Sequence, residues 1–517
     1  MYRYSQNALT GSARYVFPLF LAFLLVGLST NWTFNLFAPQ FLWKAYNYYF
    51  LSIIDGHLDI PVEAIGREGG YFDGKAYMYY GLLPALARVV LYPFVDLTQT
   101  PTSLFCIMLF TLIGLSVLQR ELNRALLPAD APLFSQTGMV WGLVTTVSWV
   151  GSATFMISQG GTIYHEPYAA SLCLFNIFMA MLIKDGFFQT NTHRSSPLIY
   201  AVLAALAIHT RMPMALALYF ATGLIMLVMT YRSLSSAKPA FYVLPFQAIK
   251  HYYGSLIILL VGGLSIFLLN YAKYGDPMSF MGGNYGYSFL EGFSDRKCRL
   301  VPSSEYKRFL RIIANSYIYL TGDWERHWSL TWHLKTGYGR WELPLTPLGV
   351  LWALPVLSFA AAVVVLLKKV TSRTHAVTLL GLFFVSLGAL YQLSYPTITH
   401  RYTAELWAPF FCALLWLAYV YRNHKLSKGV TGVAIVAGLI GIGYQLHLAT
   451  SDKYYLENGP IYKHDNYHYS DEDHAFLSQL TEEAIAEHKA QEKLLKKEAC
   501  KKLAEEIGID HLLKKKN

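Results

Sequence analysis

The sequence predicts an all-α integral membrane protein with about eleven transmembrane helices, roughly nine to thirteen, and two large loops on its extracytoplasmic face. Three observations predict it. Of the 517 residues, 54% are hydrophobic and only 14% charged, against about 25% in an ordinary soluble protein. The apolar residues gather in runs close to the ~20 residues that cross a bilayer. The basic residues, in turn, crowd into alternate loops between those runs. This composition excludes a soluble enzyme, a disordered regulator and a disulfide scaffold. It also gives the net charge of +10 a source other than nucleic-acid binding.

The first run, Tyr15–Trp32, follows Arg14 and ends in Thr30, Asn31 and Trp32. That ending is no small-residue cleavage site, so the run is an uncleaved first helix rather than a signal peptide. Six more runs follow at Ser103–Leu118, Gly138–Ile157, Tyr168–Ile183, Pro197–Ile208, Met214–Thr230 and Ser255–Leu269. Four complete the set: Leu348–Leu367, Val377–Leu393, Ala404–Tyr419 and Val430–Leu446. The stretch Leu82–Val95 is apolar but carries Arg88 and Pro93. It reads as a re-entrant or interfacial segment.

Lys and Arg in short loops set orientation. With the N-terminus inside, the inside segments hold fifteen basic residues against three acids, Glu121, Asp130 and Asp185. The outside segments are nearly balanced, so the excess charge is a topology signal.

Positions 1–450 thus form the polytopic membrane domain. Two of its outer loops, residues 35–83 and 271–345, exceed the ~12–15 residues of an ordinary connection. Both are rich in Tyr, Trp, Phe and Gly. Residues 451–517 form a charged tail, helical in pattern from Asp471 to Glu506. An odd number of spans places it outside. The five cysteines are scattered without a CxxC or metal-site spacing, which marks them as structural or incidental.

Ionisable side chains concentrate on the outer face. The first loop holds Asp55, His57, Asp59, Glu63, Arg67, Glu68, Asp73 and Lys75. Carboxylates beside His and Lys suit general-base activation of a hydroxyl or amine, or the holding of a divalent cation against a phosphate. His165 and Glu166 open the fourth span, Arg211 separates the fifth from the sixth, and His400, Arg401 and Glu405 open the tenth. A charge at such a position is costly and by default marks function. Arg211 and Arg401 have the forked geometry to grip a phosphate. No GxxxxGK[ST] or GxGxxG nucleotide loop is present.

Five strings, taken in order, resemble the GT-C glycosyltransferases, in particular the bacterial multi-pass branch related to protein mannosyltransferases and the lipid-A aminoarabinose transferase. They are DGKAYMYYGLLPAL (Asp73–Leu86), IYHEPYA (Ile163–Ala169), HTRMPMAL (His209–Leu216), NYAKYGDPMSF (Asn270–Phe280) and HRYTAELWAPF (His400–Phe410). The resemblance covers Tyr15 to about Leu448. It implies a GT-C-like fold and an enzyme moving a sugar from a polyprenyl-phosphate donor to a glycan, lipid or protein acceptor. It also implies a bacterial inner membrane, a bilayer environment and no nucleic-acid partner. In such proteins an acid of the first outer loop is the base or a metal-site carboxylate, and basic residues at outer helix ends bind the lipid phosphate. Carried over, the base is Asp55, Asp59 or Glu68. Lys75, Arg211 and Arg401 are phosphate binders, and His165 and Glu166 orient acceptor or base, with His400 beside them. The residues specify no cofactor, and a divalent cation is the one the chemistry would accommodate. The sequence departs from the protein mannosyltransferases in lacking their adjacent Asp-Glu pair after the first span, which leaves the three acids equivalent. A multi-pass transporter or flippase is the alternative reading, although transporters commonly place ionisable groups near the midplane.

Overall fold

The computed structural model describes residues 2–128, 131–132, 134–186, 197–233, 244–279, 309–323, 345–395, 398–422, 427–451 and 471–481, with a few single positions within 326–334 and 483–487. Most of the second outer loop and of the tail, including Cys298 and Cys500, lies outside them.

Among the described residues, nine helices are long and apolar enough to cross a membrane. They are Ser12–Ser29, Ser103–Leu126, Gln136–Ser158, His165–Lys184, Met212–Ser233, Phe246–Tyr274, Thr374–Leu393, His400–Tyr421 and Lys428–Thr450. Two shorter apolar helices, Pro197–Ile208 and Ala353–Lys368, occupy the remaining predicted runs. Helices are what an apolar solvent demands, because each backbone N–H and C=O must be satisfied within its own segment.

Burial distinguishes the helices. The His165–Lys184 window is 89% buried, whereas that of Phe246–Tyr274 is 17% buried and turns its apolar side chains outward. The first is central, the second peripheral. Close approach at the centre depends on small residues, as is usual where lipid supplies no hydrophobic drive. A Cβ on Gly114 of the Ser103–Leu126 helix would stand 2.8 Å from the Cys173 Cα of the central helix.

The first outer loop is folded. A helix over Lys44–Ile54 precedes a small antiparallel sheet of β1 (Asp59–Ile60), β2 (Gly70–Phe72) and β3 (Lys75–Tyr77), ordered β1-β3-β2. The register pairs Asp59 with Tyr77 and Phe72 with Lys75. Between β2 and β3, Asp73 and Gly74 both take positive φ, 48° and 71°. This is the two-residue turn that an Asp-Gly pair favours in a hairpin. A helix over Val62–Ile65 and a 3₁₀ turn over Gly66–Glu68 lie between β1 and β2.

Arg88 and Pro93 do keep their stretch from becoming a span. It forms a one-turn helix, Leu83–Leu86, then a 3₁₀ turn, Ala87–Val90, and then turns. From the tail, the helix Asp471–Ser478 brings Leu477 and Leu480 into the apolar core of the first loop. One element follows the first span and the other the last, so their contact requires an odd number of spans. Nine and eleven both satisfy it.

Candidate active site

The outer ends of the central helices carry two arginine–glutamate pairs. In the first, Arg88 of the Leu82–Val95 stretch is completely buried. Arg88 Nη2 donates to Glu166 Oε1 at 2.9 Å, and Nη1 donates to Glu166 Oε2 and, at 2.9 Å, to the Pro84 carbonyl. Its Nε donates to Asn47 Oδ1 at 3.1 Å. Asn47 in turn donates to the Leu97 and Thr100 carbonyls, both at 2.8 Å. Three chain segments thereby meet at one guanidinium, and Asn47 ties in a fourth. Both oxygens of Glu166 are therefore engaged by Arg88, which ties the Leu82–Val95 stretch to the start of the fourth span.

The second pair joins the sixth and tenth spans. Arg211 Nε donates to Glu405 Oε1 at 2.7 Å and Nη2 to the Tyr168 hydroxyl at 2.8 Å. The other Glu405 oxygen is buried without a hydrogen-bond partner, and 14% of the Arg211 side chain is exposed. The Arg211 guanidinium lies 5.7 Å from the centre of the Tyr402 ring, and that of Arg401 lies 5.6 Å from it. Two cations thus share one aromatic ring.

Arg401 also stacks over Tyr164, 4.3 Å from the ring centre. At its other end the Tyr164 hydroxyl is a hydrogen-bond neighbour of the Glu68 carboxylate. Burial first, and then the Glu68 charge, push that hydroxyl well above the ordinary phenol value. It stays protonated and so donates to Glu68. Glu68 itself is 3% exposed. Tyr164 is thus the bridge between a buried carboxylate and the arginine pair. Tyr80 completes the cluster: its hydroxyl accepts from Tyr79 at 2.6 Å, and burial raises it against the opposing effect of Arg211 and Arg401 nearby.

The three first-loop acids, equivalent in sequence, stand in three different settings. Asp55 is exposed at the C-terminal end of the Lys44–Ile54 helix. Asp59 is half-buried on β1, 3.4 Å from Lys75 Nζ and 3.5 Å from His57 Nδ1. Only Glu68 of the three is buried. Lys75 is exposed on β3 and paired with Asp59, so it does not join Arg211 and Arg401. His165 is buried, with Nδ1 2.7 Å from Thr162 Oγ1, and its ring leaves no room for a side chain at Gly160. His400 is buried in the 3₁₀ turn that presents Arg401.

Other contacts hold the cluster in place. The second-loop helix Arg311–Thr321 sets Asn315 Nδ2 against the Leu393 and Tyr395 carbonyls at 2.7 and 2.8 Å. Tyr319 donates to the Thr399 carbonyl at 3.2 Å, next to His400. On the opposite side, buried Lys273 donates to the Met78 carbonyl at 2.6 Å and so fixes the exit from β3. Among the described residues, no group of three or more His, Cys, Asp and Glu is arranged to hold a metal ion.

Sequence reasoning did not single out Tyr164, Tyr402, Tyr80 or Lys273. A signal existed for three of them. Tyr164 and Tyr402 each neighbour a named ionisable residue, and Lys273 is a lone cation at the end of an apolar run. Such a cation needs a partner, which here is the backbone of the first loop.

No protein-family model and no curated protein matches the chain. Among solved structures, it is similar to ArnT from Cupriavidus metallidurans in the apo state, with a TM-score of 0.45 and 14% identity over 87% of this chain and 66% of that one. The same protein bound to undecaprenyl phosphate matches with a TM-score of 0.41 and 13% identity, over 83% of this chain and 62% of that one. The archaeal oligosaccharyltransferase AglB from Archaeoglobus fulgidus, in complex with an inhibitory peptide and a dolichol-phosphate, matches with a TM-score of 0.45 and 12% identity, over 91% of this chain and 60% of that one. The chain thus spans less than two thirds of the length of each structure it matches. At this identity and TM-score the likeness carries no argument, and function is read from the side chains.

Proposed function

We propose that the protein is a membrane glycosyltransferase that moves a sugar from a polyprenyl phosphate to an acceptor hydroxyl or amine at the outer face. The observation that carries this reading is the Tyr164 bridge, which puts a buried carboxylate and a pair of guanidiniums on one cluster. Glu68 takes the proton of the acceptor as its oxygen or nitrogen bonds to the anomeric carbon. The bond from that carbon to the phosphate oxygen breaks, and polyprenyl phosphate departs with its charge met by Arg401 and Arg211. Fixed cations aimed at a leaving phosphate stabilise the charge where it develops. The isoprenoid chain of such a donor stays in the bilayer, which explains a site at the outer ends of spans. ArnT in the undecaprenyl phosphate complex and AglB with dolichol-phosphate bind lipids of this class.

Purified full-length protein in lipid nanodiscs, given a panel of polyprenyl-phosphate sugars and acceptors, tests the reading. Glu68→Gln should lower transfer by about 10²–10⁴, the usual worth of a general base. Asp55→Asn and Asp59→Asn should retain activity. If Glu68→Gln transfers at the wild-type rate, the base is misassigned. If the wild type transfers nothing but accumulates solute in proteoliposomes, the protein is a transporter.

A further inference from the structure

The tail does more than follow the last span. Its helix Asp471–Ser478 has eight residues, too short to persist in water by itself, where helices below about 12–15 residues are marginal. It forms against the first outer loop. Leu477 is fully buried and Leu480 3% exposed, in a core shared with Ile65, Tyr71, Met78 and Tyr164. Two contacts flank Glu68 in the chain. Before it, the tail helix packs on the Val62–Ile65 helix. After it, the Gly74 amide in the β2–β3 turn donates to the Leu480 carbonyl at 2.8 Å. The Gly66–Glu68 turn lies between these two points and is held from within by the Tyr71 hydroxyl, which donates to the Gly66 carbonyl at 2.9 Å. Release of the tail would therefore remove a support of the loop on each side of the turn that carries the carboxylate.

We infer that residues 471–480 are a clamp on the first outer loop, with Leu477 and Leu480 acting as positioning residues that hold Glu68 against Tyr164 and Arg401. The docking half stands on these contacts alone, and the positioning half rests on the transferase reading. The clamp acts on the base and not on the arginines, so it governs turnover more than donor affinity. Local opening of such a unit is reported by amide hydrogen exchange.

The test uses the full chain in nanodiscs, with Leu477→Asp, the milder Leu477→Ala and the conservative Leu477→Met. Exchange is read over residues 59–83, and over 103–126 and 165–184 as the control for folding. Leu477→Asp and Leu477→Ala should speed exchange over 59–83 by at least about 10-fold and leave the control helices protected, the pattern of sub-global opening. Leu477→Met should retain wild-type protection. Unchanged exchange over 59–83 in both destabilising variants overturns the clamp, whatever the protein catalyses. With a transferring wild type, kcat should fall about 10-fold or more while the KM for the lipid donor stays within about 2-fold, as for an interaction made only in the transition state. A rise in KM at constant kcat overturns the positioning role. A wild type that transfers no sugar overturns both that role and the transferase reading, while the exchange result still decides the docking.

Discussion

The two arginine–glutamate pairs at the outer helix ends are chemically alike and physically opposite. Arg88 and Glu166 are both fully buried, every Glu166 oxygen is engaged, and Asn47 and Pro84 take up the remaining edges of the guanidinium. Arg211 and Glu405 leave one carboxylate oxygen unpartnered and part of the guanidinium exposed, and they share an aromatic ring with a second cation. A saturated pair has nothing left to offer a ligand. In the open pair the exposed edge of the Arg211 guanidinium retains N–H groups that a phosphate would accept from, whereas the unpaired Glu405 oxygen can itself only accept. The difference separates architecture from chemistry on a face where the sequence shows only scattered charges.

The largest effect is expected at the sealed pair. Arg88→Met leaves Glu166 buried without its counter-ion and should cost about 3–5 kcal/mol of stability, read from thermal or denaturant unfolding in detergent. The double variant Arg88→Met with Glu166→Leu should recover most of that loss, because an apolar replacement of a buried pair is often neutral. A single-variant cost under about 1 kcal/mol would place the pair outside the tightly packed interior and break the comparison.

At the open pair the loss should fall on function. Arg211→Lys keeps the charge beside Glu405 but removes the fork. It should lower kcat/KM for the lipid donor by about 10–100-fold, the worth of one or two charge-assisted hydrogen bonds. Its unfolding midpoint should move far less than that of Arg88→Met. Equal losses of stability at the two arginines would mean that both are architectural.

Smaller effects sharpen the boundary of the cluster. Tyr402→Leu removes the ring shared by Arg211 and Arg401, a loss of about 1 kcal/mol or roughly five-fold in donor binding. Lys75→Gln and Asp59→Asn affect an exposed pair, whose worth is about 0–1 kcal/mol. Neither should change transfer more than about 2-fold. A large loss at Lys75 would extend the phosphate site out to β3.

Glu68 shows how the site was only partly legible. The sequence identified three first-loop acids as candidates and could not rank them, because Asp55, Asp59 and Glu68 all lie in one polar-looking string. Burial ranks them, and the Tyr164 hydroxyl that meets Glu68 comes from the start of the fourth span, far away in the chain. Arg88 had a clear local signal, a cation in an apolar stretch. Its partner Glu166, 78 positions away, was legible only as another outer-end charge. The hairpin turn at Asp73–Gly74 was legible in principle from the Asp-Gly pair. Two strands of three residues, however, fall below any alternation pattern.

The sequence by itself determined the helices and the sidedness of the charge. Hydrophobic length and loop charge act locally, one segment at a time, so no partner has to be known. It also determined that the outer face holds the ionisable groups. Which of them meet was decided only by the tertiary structure. The Arg88–Glu166 seal, the Tyr402 ring between two arginines and the docking of Leu477 on the first loop each join segments far apart in the chain. Their geometry depends on how the helices pack, and no local pattern of residues encodes that.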